Sequence, residues 1–142
     1  TVLCLKLNRQ LGKKIIYDPD VRVWHHRRPL FRAHWKQVGN YALHRGYFVK
    51  KFPETSRRLS YFLPSLWTIF LILSWIPLLL FSGGLKLYGG IVLIYFLAAG
   101  LTGARSLKLK TAAVVTAGII STHIVYGVNF IRGLLIRKLS EE

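Results

Sequence analysis

The densest concentration of chemistry-bearing side chains in this sequence is the run His25-His26-Arg27-Arg28. An imidazole can ligate a metal or move a proton, and a guanidinium grips phosphate oxygens through a planar fork of donors. Consecutive residues of an extended strand point to opposite faces, so His25 and His26 are not expected to share one ligand sphere. By residue type alone, the run describes equally well a basic loop closing a strand or a contact to anionic lipid. Carboxylates are scarce. Asp18 and Asp20 flank Pro19 in a turn, Glu54 stands alone, and Glu141 and Glu142 end the chain, leaving no pair suited to general acid–base work. Cys4 is the only cysteine, which excludes an internal disulfide or a cysteine-based zinc site. His123 lies in an apolar stretch, where ionisable groups often mark function. Its distance of only a few turns from Arg132 favours packing against Tyr126 or hydrogen bonding near a membrane interface.

Short elements must position these groups. Leu3, Cys4, Leu7 and Leu11 recur at helical spacing, and Gly12 is a stop signal. Ile15, Ile16 and Tyr17 form a β-prone run. Val21 and Val23, alternating with Arg22 and Trp24, form a second beyond the Asp18-Pro19-Asp20 turn. The pattern predicts the edge of an α/β domain over residues 1–29. Residues 30–58 form a basic, aromatic segment in which Phe31, Trp35, Val38 and Ala42 share a helical face. Its composition predicts an amphipathic helix lying at the headgroup level of a bilayer.

The rest of the chain is greasy. The sequence has 142 residues and a formal charge of +16, yet 52% of it is hydrophobic. The two properties are segregated: 14 Lys and Arg fall in residues 1–58, whereas residues 59–130 hold only Lys86, Arg105, Lys108 and Lys110. Three uncharged stretches follow one another, of 27, 18 and 21 residues. A hydrocarbon core about 30 Å thick needs about 20 helical residues, so spans are expected near residues 59–82, 87–104 and 111–131. The basic amino-terminal part should be cytoplasmic, making this a multi-pass protein of the cytoplasmic (inner) membrane. The third stretch is the ambiguous one, because spanning would put Arg132, Arg137 and Lys138 on the disfavoured side. Ala99 with Gly103, and Ala113 with Ala117, are small-residue pairs that permit close helix packing.

Read in order, Leu3-Cys4-Leu5-Lys6-Leu7, Gly12, Ile16-Tyr17-Asp18-Pro19-Asp20-Val21 and Val23-Trp24-His25-His26-Arg27-Arg28 resemble the end of the catalytic domain of membrane-anchored family 2 glycosyltransferases. That family carries a helix of the type E-D-x-D-L-x-x-R, a glycine, a strand, an aspartate-proline turn and a strand ending in V-x-x-H. Val2 stands where such members often have an acidic residue, and Lys6 replaces the usual arginine. The resemblance covers about residues 1–50. His123-Ile124-Val125-Tyr126-Gly127 is similar to a recurring tail of the membrane-anchored members.

The resemblance implies a GT-A type α/β remnant followed by two to three transmembrane helices. It implies an enzyme that moves a sugar from a nucleotide-sugar donor to a polyprenyl-linked or surface-glycan acceptor in polysaccharide biosynthesis. It also implies a divalent metal, Mn²⁺ or Mg²⁺, with His25 as a late ligand. Arg27 and Arg28 would hold the diphosphate, while Gln37 and Arg45 would lie near the acceptor and the diphosphate. Asn40 and Tyr41 replace the arginine and tryptophan of the Q-x-x-R-W motif in processive relatives, which favours a single-sugar transferase. No methionine occurs in the sequence and the catalytic acidic motifs are missing, so the chain is expected to be part of a longer polypeptide and inactive alone. The competing expectation is a non-catalytic membrane protein whose basic segment binds anionic lipid or a partner subunit. Nucleic-acid binding would suit the charge, but no nucleic-acid motif accompanies it.

Overall fold

Helix ends fall where the sequence carries breakers. In the computed structural model, which describes residues 2–26, 29–105 and 108–139, α1 (Val2–Leu11) ends at Gly12, whose φ of 59° is a left-handed conformation that glycine adopts at little cost. The Lys13 amide then returns to the Leu7 carbonyl at 3.0 Å. Helix α2 (Arg32–Lys51) is followed by the single turn α3 (Pro53–Ser56), with Pro53 at its first position, where a missing N–H costs nothing. The apolar stretch that follows breaks into α4 (Leu59–Leu73) and α5 (Trp75–Leu78). Pro77 is the cause: it has no N–H to give the Leu73 carbonyl, and its ring crowds that oxygen. Gly83, at φ 81°, turns the chain into α6 (Gly84–Ala104), and α7 (Leu109–Leu135) completes the structure.

Two expectations are corrected by this arrangement. The runs Ile15–Tyr17 and Val21–Trp24 form no strand, and the described residues are all helical or irregular. A strand needs a neighbour to take its alternate N–H and C=O groups, and no neighbouring strand is present among the described residues. The side chains stay uncovered, with Trp24 fully exposed. The expected α/β edge is therefore not seen as a sheet. The region 59–82 is not one spanning helix either, because α4 has 15 residues and reaches only about 22 Å. Among the described residues two helices are long and apolar enough to cross a membrane, α6 and α7. The longer of them is the segment whose charge pattern had left it ambiguous.

Helix α2 is packed against another helix of the chain. It runs lengthwise along α7, burying Gly39, Ala42, Gly46 and Tyr47. The contacts advance together along both helices. Trp35 meets Ser121, Gly39 faces Val125 and Asn129, Gly46 meets Gly133, and Lys50 donates to the Ile136 carbonyl at 2.6 Å. The two helices are thus parallel. Helix α6 packs on the first half of α7 in the opposite sense, pairing Tyr95 with His123, Ala99 with Thr116 and Gly103 with Ala112.

Helix α4 meets α7 at Gly127, where Thr68 Oγ1 and the Pro64 carbonyl occupy the space a side chain would need. Phe130 is fully buried beside this contact, with Phe62 edge-on at 5.0 Å and Tyr126 stacked at 5.8 Å. The interior is small and centred on α7. Most large apolar side chains of α4 and α6 face outward, Leu66, Ile69, Ile72, Leu93, Ile94 and Leu97 among them.

Candidate functional site

The amino-terminal half of α2 is pinned to α7 by two ring nitrogens. Trp35 Nε1 donates to Ser121 Oγ at 2.9 Å, and His34 Nε2 lies 3.0 Å from Thr122 Oγ1. Both hydroxyls spend their protons on the Gly118 carbonyl, at 3.1 and 2.6 Å. A hydroxyl has one proton, so with that of Thr122 given to Gly118 the pair is completed by an Nε2–H tautomer of His34. Leu30 covers Gly118 from the other side. Gln37 is exposed at the mouth of a groove of about 370 Å³ that continues this seam, with His34, Tyr41, Thr122 and Tyr126 in its walls. The Tyr126 hydroxyl is enclosed and has no hydrogen-bond partner among the described residues.

One turn beyond Tyr41, Arg45 ties three helices together. Its Nη1 donates to the Thr55 carbonyl at 3.1 Å and to Ser56 Oγ at 3.3 Å, and its Nη2 donates to the Tyr41 hydroxyl at 2.7 Å. The guanidinium carbon lies 5.0 Å from the Tyr41 ring centre and 4.5 Å from that of Tyr61, at cation–π distance from both. Because α3 follows α2 after a single residue, the chain doubles back and places Thr55 and Ser56 where Arg45 reaches them. Arg45 then lines a cleft of about 480 Å³ between α1, α3 and the start of α4, together with Asn8, Glu54, Thr55, Arg58 and Tyr61. Across it, Arg9 Nη1 holds Glu54 Oε1 at 3.0 Å, which docks α1 onto α3.

The residues named from sequence therefore fall in three places. Gln37 and Arg45 sit on one helix, two turns apart, in neighbouring clefts. His25 is exposed in the irregular segment before α2. Arg27 and Arg28 lie outside the described residues. A divalent ion of the Mn²⁺ or Mg²⁺ type takes about six ligands, and His25 offers one. Among the described residues no group of three or more His, Cys, Asp or Glu side chains could hold a metal. The described residues alone do not complete a metal centre.

Sequence reasoning missed Arg58, Tyr61 and Tyr95. The first two were read as the border of a spanning segment. Their signal was the spacing of Arg45, Thr55, Arg58 and Tyr61 on either side of Pro53, which marks a reversal of the chain. His123 hydrogen-bonds through Nδ1 to the Tyr95 hydroxyl on α6 at 2.9 Å, rather than settling against Tyr126. The Trp67 ring packs on Tyr95 at 4.6 Å and closes an aromatic corner between α4, α6 and α7.

No protein-family model matches the chain, and comparison with curated proteins and with solved structures returns no match.

Proposed function

We propose that this chain is the membrane-embedded, carboxyl-terminal part of a glycosyltransferase that moves a sugar from a nucleotide-sugar donor to a lipid-linked or surface-glycan acceptor at the cytoplasmic face of the cell membrane. The observation that carries the reading is the order of its parts. An aspartate-proline turn and a strand-like run ending in Val23-Trp24-His25-His26 lead straight into α2. That helix bears Gln37 and Arg45 and is laid along α7, which is long enough to cross a bilayer. The outward apolar faces of α4 and α6 suit lipid.

The chemistry asked of such an enzyme is charge management. The nucleotide-diphosphate leaving group gains negative charge as the sugar bond breaks, and positioned cations stabilise it while a carboxylate deprotonates the acceptor hydroxyl. In this proposal His25 is one late ligand of a Mn²⁺ or Mg²⁺ ion whose other ligands lie in the catalytic domain. Arg27 and Arg28 are the proposed diphosphate-binding cations, and Gln37 the proposed contact to the acceptor. The carboxylate base and the donor pocket belong to polypeptide joined to this chain.

Two measurements test the reading. The reading frame upstream of the Thr1 codon should encode about 200 residues, the size of one domain, with a D-x-D-like motif and an E-D pair. A start codon beside Thr1 overturns the proposal in favour of a small, non-catalytic membrane protein with a lipid- or partner-binding basic segment. The parent enzyme should transfer labelled sugar from a nucleotide donor to lipid extract, whereas residues 1–142 alone should transfer none.

A further inference from the structure

We propose that the cleft between α1, α3 and the start of α4 is a binding site for a phosphate ester, with the guanidinium groups of Arg58 and Arg45 as its cations. This rests on the membrane part of the reading above and not on sugar transfer.

Arg45 is held ready for such a ligand. Three hydrogen bonds and two flanking tyrosine rings fix its plane, so little side-chain entropy remains to be lost on binding. A guanidinium has five N–H donors, and Arg45 makes three hydrogen bonds among the described residues, none of them through Nε. It therefore keeps donors to offer a phosphate oxygen.

Arg58 lines the same cleft and is exposed, and its guanidinium has no hydrogen-bond or ion-pair partner among the described residues. The only carboxylate in the wall, Glu54, is answered by Arg9 at 3.0 Å. The cleft thus keeps a net positive charge. The Asn8 side chain adds an amide on the α1 side.

Depth argues for the same ligand. Arg58 is the last charged residue before 27 uncharged ones, so the cleft opens where polar chain gives way to apolar chain. In a bilayer that level is occupied by lipid phosphates. The phosphate group is the shared chemistry of two sources, a membrane lipid or a soluble phosphate ester, and the test separates them.

The whole chain, purified in a neutral sugar-headed detergent, would be titrated with dihexanoyl phosphatidic acid, inorganic phosphate and dihexanoyl phosphatidylcholine, with tryptophan fluorescence as the readout. Phosphatidic acid should bind more tightly than phosphatidylcholine. Arg58→Gln should weaken it about tenfold, the worth of one charge-assisted hydrogen bond. Arg45→Lys should weaken it similarly, with helix content by circular dichroism unchanged. Phosphatidic acid binding more tightly than inorganic phosphate upholds the site and identifies a lipid. Equal binding upholds it and identifies a soluble ester. Wild-type affinity in both variants, or equal affinity for phosphatidylcholine and phosphatidic acid, overturns the proposal. No sugar nucleotide enters the assay, so its failure and the failure of the transferase reading are separate results.

Discussion

Gly46 on α2 and Gly133 on α7 meet backbone to backbone. A Cβ on Gly133 would run into the Leu43 carbonyl oxygen and lie 3.0 Å from the Gly46 Cα, while one on Gly46 would strike the Phe130 carbonyl oxygen. Neither obstacle is the end of a flexible side chain, so neither can step aside. The closeness lets two helices of very different polarity share a seam in which hydroxyls, ring nitrogens and glycines alternate.

Gly133→Ala should therefore destabilise the α2–α7 pair by about 1–3 kcal/mol, the usual cost of overpacking. Gly89→Ala is the matched control, since nothing lies within 4 Å of the added Cβ, and it should be neutral or slightly stabilising. Thermal unfolding of both variants in detergent measures the difference. Equal melting would show that the seam yields.

Tyr95→Phe should remove the polar link between His123 and α6, at a cost of about 0.6 kcal/mol, typical of hydrogen bonds between membrane helices. Tyr95→Phe and His123→Leu should not be additive in a double-mutant cycle. Strict additivity would mean that the 2.9 Å contact contributes nothing.

How much of this was legible beforehand depended on the kind of signal. Gly12, Pro53 and Gly83 act through their own backbones, and each marks a helix boundary as its chemistry requires. Pro77 was equally visible, but the length of the uncharged run outweighed it, so one span was expected where α4 and α5 occur. The face of an apolar helix is harder to read. Ala99 and Gly103 do pack on α7, yet the α7 residues that receive them are Ala112 and Thr116, while Ala113 and Ala117 face outward. A helix apolar all round carries no moment to show which stripe is covered. The docking of α2 was invisible for a different reason. Its polar residues read as solvent-facing until Ser121 and Thr122 are seen opposite Trp35 and His34. Arg45 was singled out by resemblance, but its tyrosine flanks come from residues 4 before and 16 after it, brought together only by the turn at Pro53.

Orientation can be checked with the single thiol. Cys4 is exposed, and the charge rule puts its end of the chain in the cytosol. A membrane-impermeant maleimide should leave it unlabelled in intact cells and label it after permeabilisation. Labelling of intact cells would invert the topology.

On the proposed transferase reading, His25→Ala in the whole enzyme should lower transfer about tenfold or more and flatten its dependence on Mn²⁺ or Mg²⁺. An unchanged metal titration would remove His25 from the site.

The parallel run of α2 beside α7 constrains how the protein is made. The chain must leave the far end of α2, pass through α3 to α6, and return to the near end before α7 can lie down in register. The glycine face of α2 thus has no α7 to cover it until everything between has been made, and the seam must close across the intervening chain. A ribosome that stopped short of Leu109 would release a polypeptide whose polar, notched helix has nothing to rest on, which is the kind of surface that quality-control proteases recognise.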